Sequence, residues 1–193
     1  MKKRAVFLDR DGTLNVDDGY PATFNQLVIY PASCEAVRKF NDAGLLTVVV
    51  TNQSGIGRGL LTEKNLTVLH EQMSNFFADQ GARIDAFYYC PHYERSEIPQ
   101  YQLNCTCRKP NPGMALRAAA DLDIDLERSY MVGDKVEDIL FGVSIKATPV
   151  LVLTGFGEEA LRRLRVHGVE PAFVADGILA AADWILGRER KPK

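Results

Sequence analysis

Two aspartates two positions apart, in the segment FLDRDGT, are the first residues of this chain with an evident chemistry. Asp9 and Asp11 close a short apolar run, and in an extended chain positions i and i+2 point to the same face. Gly12 then lets the backbone turn away. Two carboxylates this close repel unless a cation sits between them or one keeps a proton. Either state suits phosphate chemistry, and a hard divalent ion, Mg²⁺ above all, suits such oxygen ligands. The segment GDKVED supplies a third carboxylate, Asp134, with Asp138 one helical turn on. Taken singly, these aspartates would also serve as turn residues or helix caps. The co-occurrence of DRDGT, TNQSG, RKP and GDKVED in that order favours a reaction centre over those bland roles.

A second cluster lies between residues 90 and 107. Cys90-Pro-His92 and Cys105-Thr-Cys107 offer three thiolates and one imidazole, a closed tetrahedral zinc set with no open position for water. The stretch around them has few aliphatic residues, so metal would hold it where burial cannot. The zinc is then structural, and it would fix the loop that delivers Arg108 and Lys109. Cys34 has no companion and reads as a core residue. His70 and His167 fall in helical stretches, where surface or packing roles suit them better than ligation.

These groups need elements to position them. Short apolar runs alternate with amphipathic stretches. Strands are expected at Ala5–Asp9, Leu45–Asn52, Ala86–Cys90, Ser129–Asp134, Pro149–Gly155 and Ala172–Asp176. Helices are expected at Ser33–Gly44, Thr62–Gly81, Pro112–Asp123, Val136–Ile145, Glu158–Gly168 and Ile178–Gly187, with Ser33 and Thr62 as caps and a frayed tail RERKPK. This alternation predicts a Rossmann-like, doubly wound α/β fold on a mostly parallel sheet, forming one domain over residues 1–193 with a zinc loop at about 90–108. Ligands of such sheets bind beyond the carboxyl ends of the strands. Asp9, Thr51 and Asp134 all fall there. The interval from Asp9 to Thr51 is too short for a large cap domain, so an open site is expected.

Composition excludes other classes. A hydrophobic fraction of 46% can build a core, and a net charge of −2 gives no electrostatic reason to bind nucleic acid or an anionic membrane. The apolar run after the basic start is too short for a signal peptide, and nothing approaches a membrane span. The expectation is a cytoplasmic monomer acting on a small phosphorylated sugar.

DRDGT, TN, a following lysine and GDxxxD together resemble the four motifs of the haloacid dehalogenase-like (HAD) superfamily, over residues 5 to about 155. The resemblance implies that Asp9 is the nucleophile of an aspartyl-phosphate route and Asp11 the general acid and base. It implies that Thr51 and Lys109 stabilise the phosphoryl group. Mg²⁺ would be held by Asp9, Asp134 and the main-chain carbonyl of Asp11, with Asp138 organising the site. FLDRDGTLNVDDGY, TNQSGIGRG, CPH…CTCRKPNPGM and GDKVEDI are most similar to the heptose-1,7-bisphosphate 7-phosphatases, with the histidinol phosphatases next. This implies removal of the 7-phosphate in the making of nucleotide-activated heptose for lipopolysaccharide core or a related glycan. It also implies substrate contacts at Arg10, Asp17, Asp18, Gly19, Tyr20, Asn52, Gln53, Ser54 and Lys135, with Arg108 on the second phosphate. A guanidinium suits a second phosphate and would repel the ammonium of histidinol phosphate. The alternatives are a histidinol-phosphate phosphatase and a non-catalytic, zinc-stabilised binding protein.

Overall fold

Each side chain of the first strand is buried, and alternate ones enter two separate cores. This is the signature of a strand covered on both faces. The computed structural model describes residues 2–166 and 168–189. The strands are β1 (Ala5–Leu8), β2 (Leu46–Asn52), β3 (Ala86–Cys90), β4 (Tyr130–Gly133), β5 (Thr148–Val152) and β6 (Phe173–Ala175). They form one sheet in the order β3-β2-β1-β4-β5-β6, with every pairing parallel. The helices are α1 (Ser33–Asp42), α2 (Ser54–Gly57), α3 (Glu63–Asp79), α4 (Gly113–Leu122), α5 (Val136–Ser144), α6 (Gly157–Val166) and α7 (Ile178–Glu189).

Val6, Leu8 and Val49 pack with Phe40 of α1, Met73 and Phe77 of α3, and Ile185 of α7. Ala5, Phe7 and Val48 face the other way, onto Met114 and Ala118 of α4 and Phe141 of α5. The expected doubly wound architecture is thus the observed one. The order of strands reverses between β1 and β4, which opens a crevice at their carboxyl ends. Asp9 follows β1 directly and Asp134 follows β4 directly, so both stand in that crevice.

Thr62 caps α3, accepting from the main-chain N–H of Asn65 at 3.1 Å. Ser33 does not cap α1, contrary to expectation. Its hydroxyl is buried and donates to the Leu14 carbonyl at 2.8 Å, and Ala32 takes the cap position. Between β1 and β2 the chain forms a small flap, not a cap domain. Val16 N–H donates to Val28 O and Tyr30 N–H to Leu14 O, so the segment 22–30 returns beside the residues that follow Asp11. His167 and residues 190–193 of the tail lie outside the described residues. No helix among those described is long and apolar enough to cross a membrane.

Candidate active site

The carboxyl end of β1 carries Asp9, whose N–H continues the ladder onto Val132 O. Lys109 Nζ reaches it from the far side of the crevice, 2.8 Å from Asp9 Oδ1, and also lies 2.6 Å from Asp138 Oδ1 and 2.8 Å from Val50 O. Burial alone would pull this ammonium down, but the charges of Asp138 and Asp9 outweigh it and hold the lysine above its usual range. Lys109 is therefore a fixed positive charge in a dry environment, where fixed charge acts most strongly. Asn52 locates it by its backbone: Asn52 Nδ2 donates to Lys109 O and Lys109 N–H donates to Asn52 Oδ1. The Asn52 side chain is thus spent on placing Lys109.

Asp11 lies on the same cavity wall, held by five donated hydrogen bonds. Arg10 Nε and Nη2, Asn15 Nδ2 and Gln53 Nε2 supply them, at 2.9 to 3.0 Å. Burial pushes this carboxyl up, but the Arg10 guanidinium and the hydrogen bonds outweigh it and keep it below the ordinary carboxylate range. Gln53 also donates to Thr51 Oγ1 at 2.9 Å, coupling Asp11 to that threonine. Arg10 departs from expectation. Its side chain is fully buried and turned onto Asp11 and His70, so no substrate can reach it.

Asp9, Asp134 and Asp138 bring ligand oxygens within 4.8 Å of one another. Burial first, then the charge of Asp9, raises Asp134 to about 8. Asp134 Oδ1 is buried with no hydrogen-bond partner among the described residues. An orphaned carboxylate oxygen beside a second carboxylate is the donor set a hard cation takes. The main-chain oxygen of Asp11 faces the same point: Lys135 Nζ lies 3.2 Å from it, 3.8 Å from Asp9 Oδ2 and 4.0 Å from Asp134 Oδ1. Asp138 instead engages Lys109 and accepts from the Lys135 N–H. The residues present therefore fit a divalent ion between Asp9, Asp134 and the Asp11 carbonyl.

The sulfur and nitrogen atoms of Cys90, His92, Cys105 and Cys107 stand 3.2 to 3.5 Å apart along four edges. Those separations are too long for a disulfide. They approach the edges of about 3.8 Å expected for a tetrahedron with metal–sulfur bonds of about 2.3 Å. Cys90 ends β3, and the Gln53 N–H donates to its carbonyl, so the cluster is tied to the reacting edge of the sheet. The rest of this loop has anchors the sequence did not announce. Glu63 accepts from Tyr89 and Tyr101 hydroxyls at 2.5 and 2.7 Å, and Ser96 donates to Gly57 O at 2.5 Å.

One open cavity of about 690 Å³ joins most of these groups, with Asp134, Cys90 and Cys107 outside its lining. Asp9, Asp11, Thr51, Asn52, Gln53, Ser54 and Lys109 line one part of it. Asp17, Gly19, Tyr20, Lys135, His92, Cys105 and Arg108 also line it, together with Glu94, Leu103 and Phe156, which motif reading missed. Asp17 reaches Lys135 at 2.8 Å, while Asp18 is exposed and outside the lining. Arg108 Nη1 donates to His92 O at 3.3 Å, which ties its side chain to the loop of the Cys/His cluster. His70 was also missed as a site neighbour. Its helical spacing to Leu66, Met73 and Phe77, all buried, was the available signal.

Comparison with known proteins agrees with this geometry. A profile of the HAD-hydrolase-like family matches residues 106–181. The chain is 48% identical over 154 residues to a D-glycero-beta-D-manno-heptose-1,7-bisphosphate 7-phosphatase of Pasteurella multocida, covering 79% of this chain and 83% of that protein. It is 40% identical over 189 residues to a D-glycero-D-manno-heptose-1,7-bisphosphate 7-phosphatase of Thermosynechococcus vestitus, covering 96% of each. Among solved structures, it resembles the D,D-heptose 1,7-bisphosphate phosphatase of B. bronchiseptica complexed with magnesium and phosphate. That match has a TM-score of 0.84 at 32% identity, over 96% of this chain and 99% of that one.

Proposed function

The chain belongs to the HAD-like hydrolases, in the family of the heptose-1,7-bisphosphate 7-phosphatases, and from that premise we propose that it hydrolyses the 7-phosphate of D-glycero-D-manno-heptose 1,7-bisphosphate. The observation that carries this reading is the single cavity in which Asp9 and Lys109 share a wall with Arg108. A bisphosphate needs one anion site at the nucleophile and a second cation to receive the phosphate that stays. The β anomer is the expected better substrate, as the names of the relatives at 42% to 48% identity suggest.

The reaction divides into two displacements. An Asp9 carboxylate oxygen attacks phosphorus while the bond to the C7 oxygen breaks, and Asp11, which Arg10 keeps ionised in the resting site and which must first take up a proton, delivers that proton to the leaving oxygen. Water then attacks the aspartyl-phosphate, Asp11 takes its proton, and inorganic phosphate leaves with Asp9 restored. Lys109 and Thr51 hold the equatorial oxygens as charge spreads over them. Asn52 keeps Lys109 in register, and Asp138 orients it. Asp9, Asp134 and the Asp11 carbonyl would hold Mg²⁺, which would supply charge neutralisation and alignment of the phosphoryl group. Cys90, His92, Cys105 and Cys107 would hold Zn²⁺, which would stiffen the loop from which Arg108 and Lys109 emerge. A monomer as the working unit belongs to the same proposal. A thiolate zinc site suits a reducing compartment, so a cytoplasmic location belongs to the same proposal.

A phosphate-release panel tests the reading. It compares both anomers of heptose 1,7-bisphosphate with histidinol phosphate and fructose 1,6-bisphosphate, in the presence of Mg²⁺. Highest kcat/KM on the β-heptose bisphosphate is expected. Preference for histidinol phosphate would overturn the substrate assignment, and no release from any ester would favour a binding protein.

A further inference from the structure

Arg10 heads the fully buried side chains by volume, and its charge is shared in an unequal way. Nε and Nη2 go to the Asp11 carboxylate. Nη1 faces His70 Nε2 at 3.4 Å and has no other hydrogen-bond partner among the described residues. His70 arrives from α3, stacks on Phe87 of β3 with ring centroids 4.4 Å apart, and meets Tyr89 edge-on at 6.3 Å. Its position is set by packing that has nothing to do with phosphate.

A guanidinium has only donors, so Nε2 must offer a lone pair, and the imidazole proton belongs on Nδ1. Burial and then the charge of Arg10 push the histidine down to about 3, in keeping with a neutral ring. A neutral acceptor here does what a carboxylate would not. It fixes the plane of the guanidinium without cancelling its charge, so Asp11 keeps the whole of it. Turning that plane would break the three bonds from Arg10 to Asp11 together.

We infer that His70 is a positioning residue for the proton-transfer step: as a neutral acceptor at Arg10 Nη1 it locks the guanidinium, and through it the Asp11 carboxylate at the cavity wall. The inference rests on the reading of Asp11 as general acid and base. Misplaced by a fraction of an ångström, Asp11 still lets Asp9 attack, but it protonates the leaving oxygen poorly. The loss must then grow with the basicity of the leaving group.

The test measures kcat/KM for p-nitrophenyl phosphate, whose leaving group needs no proton, and for a primary sugar phosphate, whose leaving group does. Two substitutions separate position from bulk. His70→Gln keeps an acceptor near the place of Nε2, and His70→Asn withdraws it to the place of Nδ1. His70→Asn is expected to lose about 10- to 100-fold on the sugar phosphate and no more than about 3-fold on p-nitrophenyl phosphate, with KM steady. His70→Gln is expected within about 3-fold of the parent on both. The ratio of the two rates in one preparation does not depend on how much of it is folded. Equal losses on both esters, or equal behaviour of the two variants, would overturn the inference. Asp11→Asn serves as the reference. If it too shows no leaving-group dependence, the acid–base reading of Asp11 itself fails. If it does and His70→Asn does not, only the role of His70 fails.

Discussion

Asp134 makes a quantitative link between metal binding and pH. Its folded-state value is raised from 3.8 to about 8, by burial first and the Asp9 charge second. A raised value means that the protonated form is the stable one in the folded, metal-free protein. That contribution to stability is complete below the unfolded value and is lost as pH rises through the folded one. A cation needs the ionised form, so the proton must leave when Mg²⁺ binds. At about pH 8 roughly half the molecules are already ionised, whereas at about pH 5.5 roughly one in 300 is. Mg²⁺ affinity should therefore fall about 160-fold between the two.

With Mg²⁺ at about 100 times its dissociation constant at the higher pH, the stabilisation is about 2.7 kcal/mol. For a chain of this size that is a rise in Tm of roughly 5–11 °C. The same concentration at the lower pH is below one dissociation constant, worth about 0.3 kcal/mol and about 1 °C. Differential scanning calorimetry with and without Mg²⁺ at the two pH values reads both numbers directly. An equal rise in Tm at both would refute the argument, because it would mean that no proton leaves Asp134 when the ion binds.

Asp9→Asn should abolish Mg²⁺-dependent phosphate release by a factor on the order of 10⁴ or more while leaving the fold intact, as rates and circular dichroism would show together. Lys109→Met leaves Asp138 buried without its ammonium, and should cost about 3–5 kcal/mol in urea unfolding as well as activity. Gly12 has φ +91° and its absent Cβ would overlap the Asp134 carboxylate, so Gly12→Ala should weaken the Mg²⁺-induced rise in Tm before it affects the zinc site. Metal analysis should find about one zinc per chain, and its chelation should lower kcat/KM more for a bisphosphate than for a monophosphate, since Arg108 rides on that loop. A fully active protein free of zinc would contradict this.

The architecture was legible because β1 and the centre of β2 are apolar runs with both faces covered, and because Asp9 and Asp134 directly follow β1 and β4. Spacing could place Asp9 and Asp11 at one sheet edge. It could not say which way Arg10 turns, since a buried guanidinium needs a partner from α3, some 60 residues along. His70 itself was legible in principle, for it shares a helical face with Leu66, Met73 and Phe77. Ser33 misled because a hydroxyl before a helix reads as a cap, whereas here it serves the Leu14 carbonyl. The loop at 93–104 was opaque for a different reason. Its anchors, Ser96 to Gly57 and Tyr101 to Glu63, are long-range and leave no local pattern.

Charge explains why the metal and the proton compete at one place. Asp9, Asp134 and Asp138 face Lys109 and Lys135, which leaves one negative charge uncompensated, and Asp17 on Lys135 makes it two. Arg10 and Asp11 cancel each other. A phosphate dianion would be repelled by such a surplus in a partly dry crevice. Without a cation the protein relieves it by holding a proton on Asp134, which is the meaning of the raised value there. A divalent ion removes the surplus entirely and lets Asp134 ionise. The lysines then face the crevice instead of balancing their own site, and Arg108 stands outside this balance.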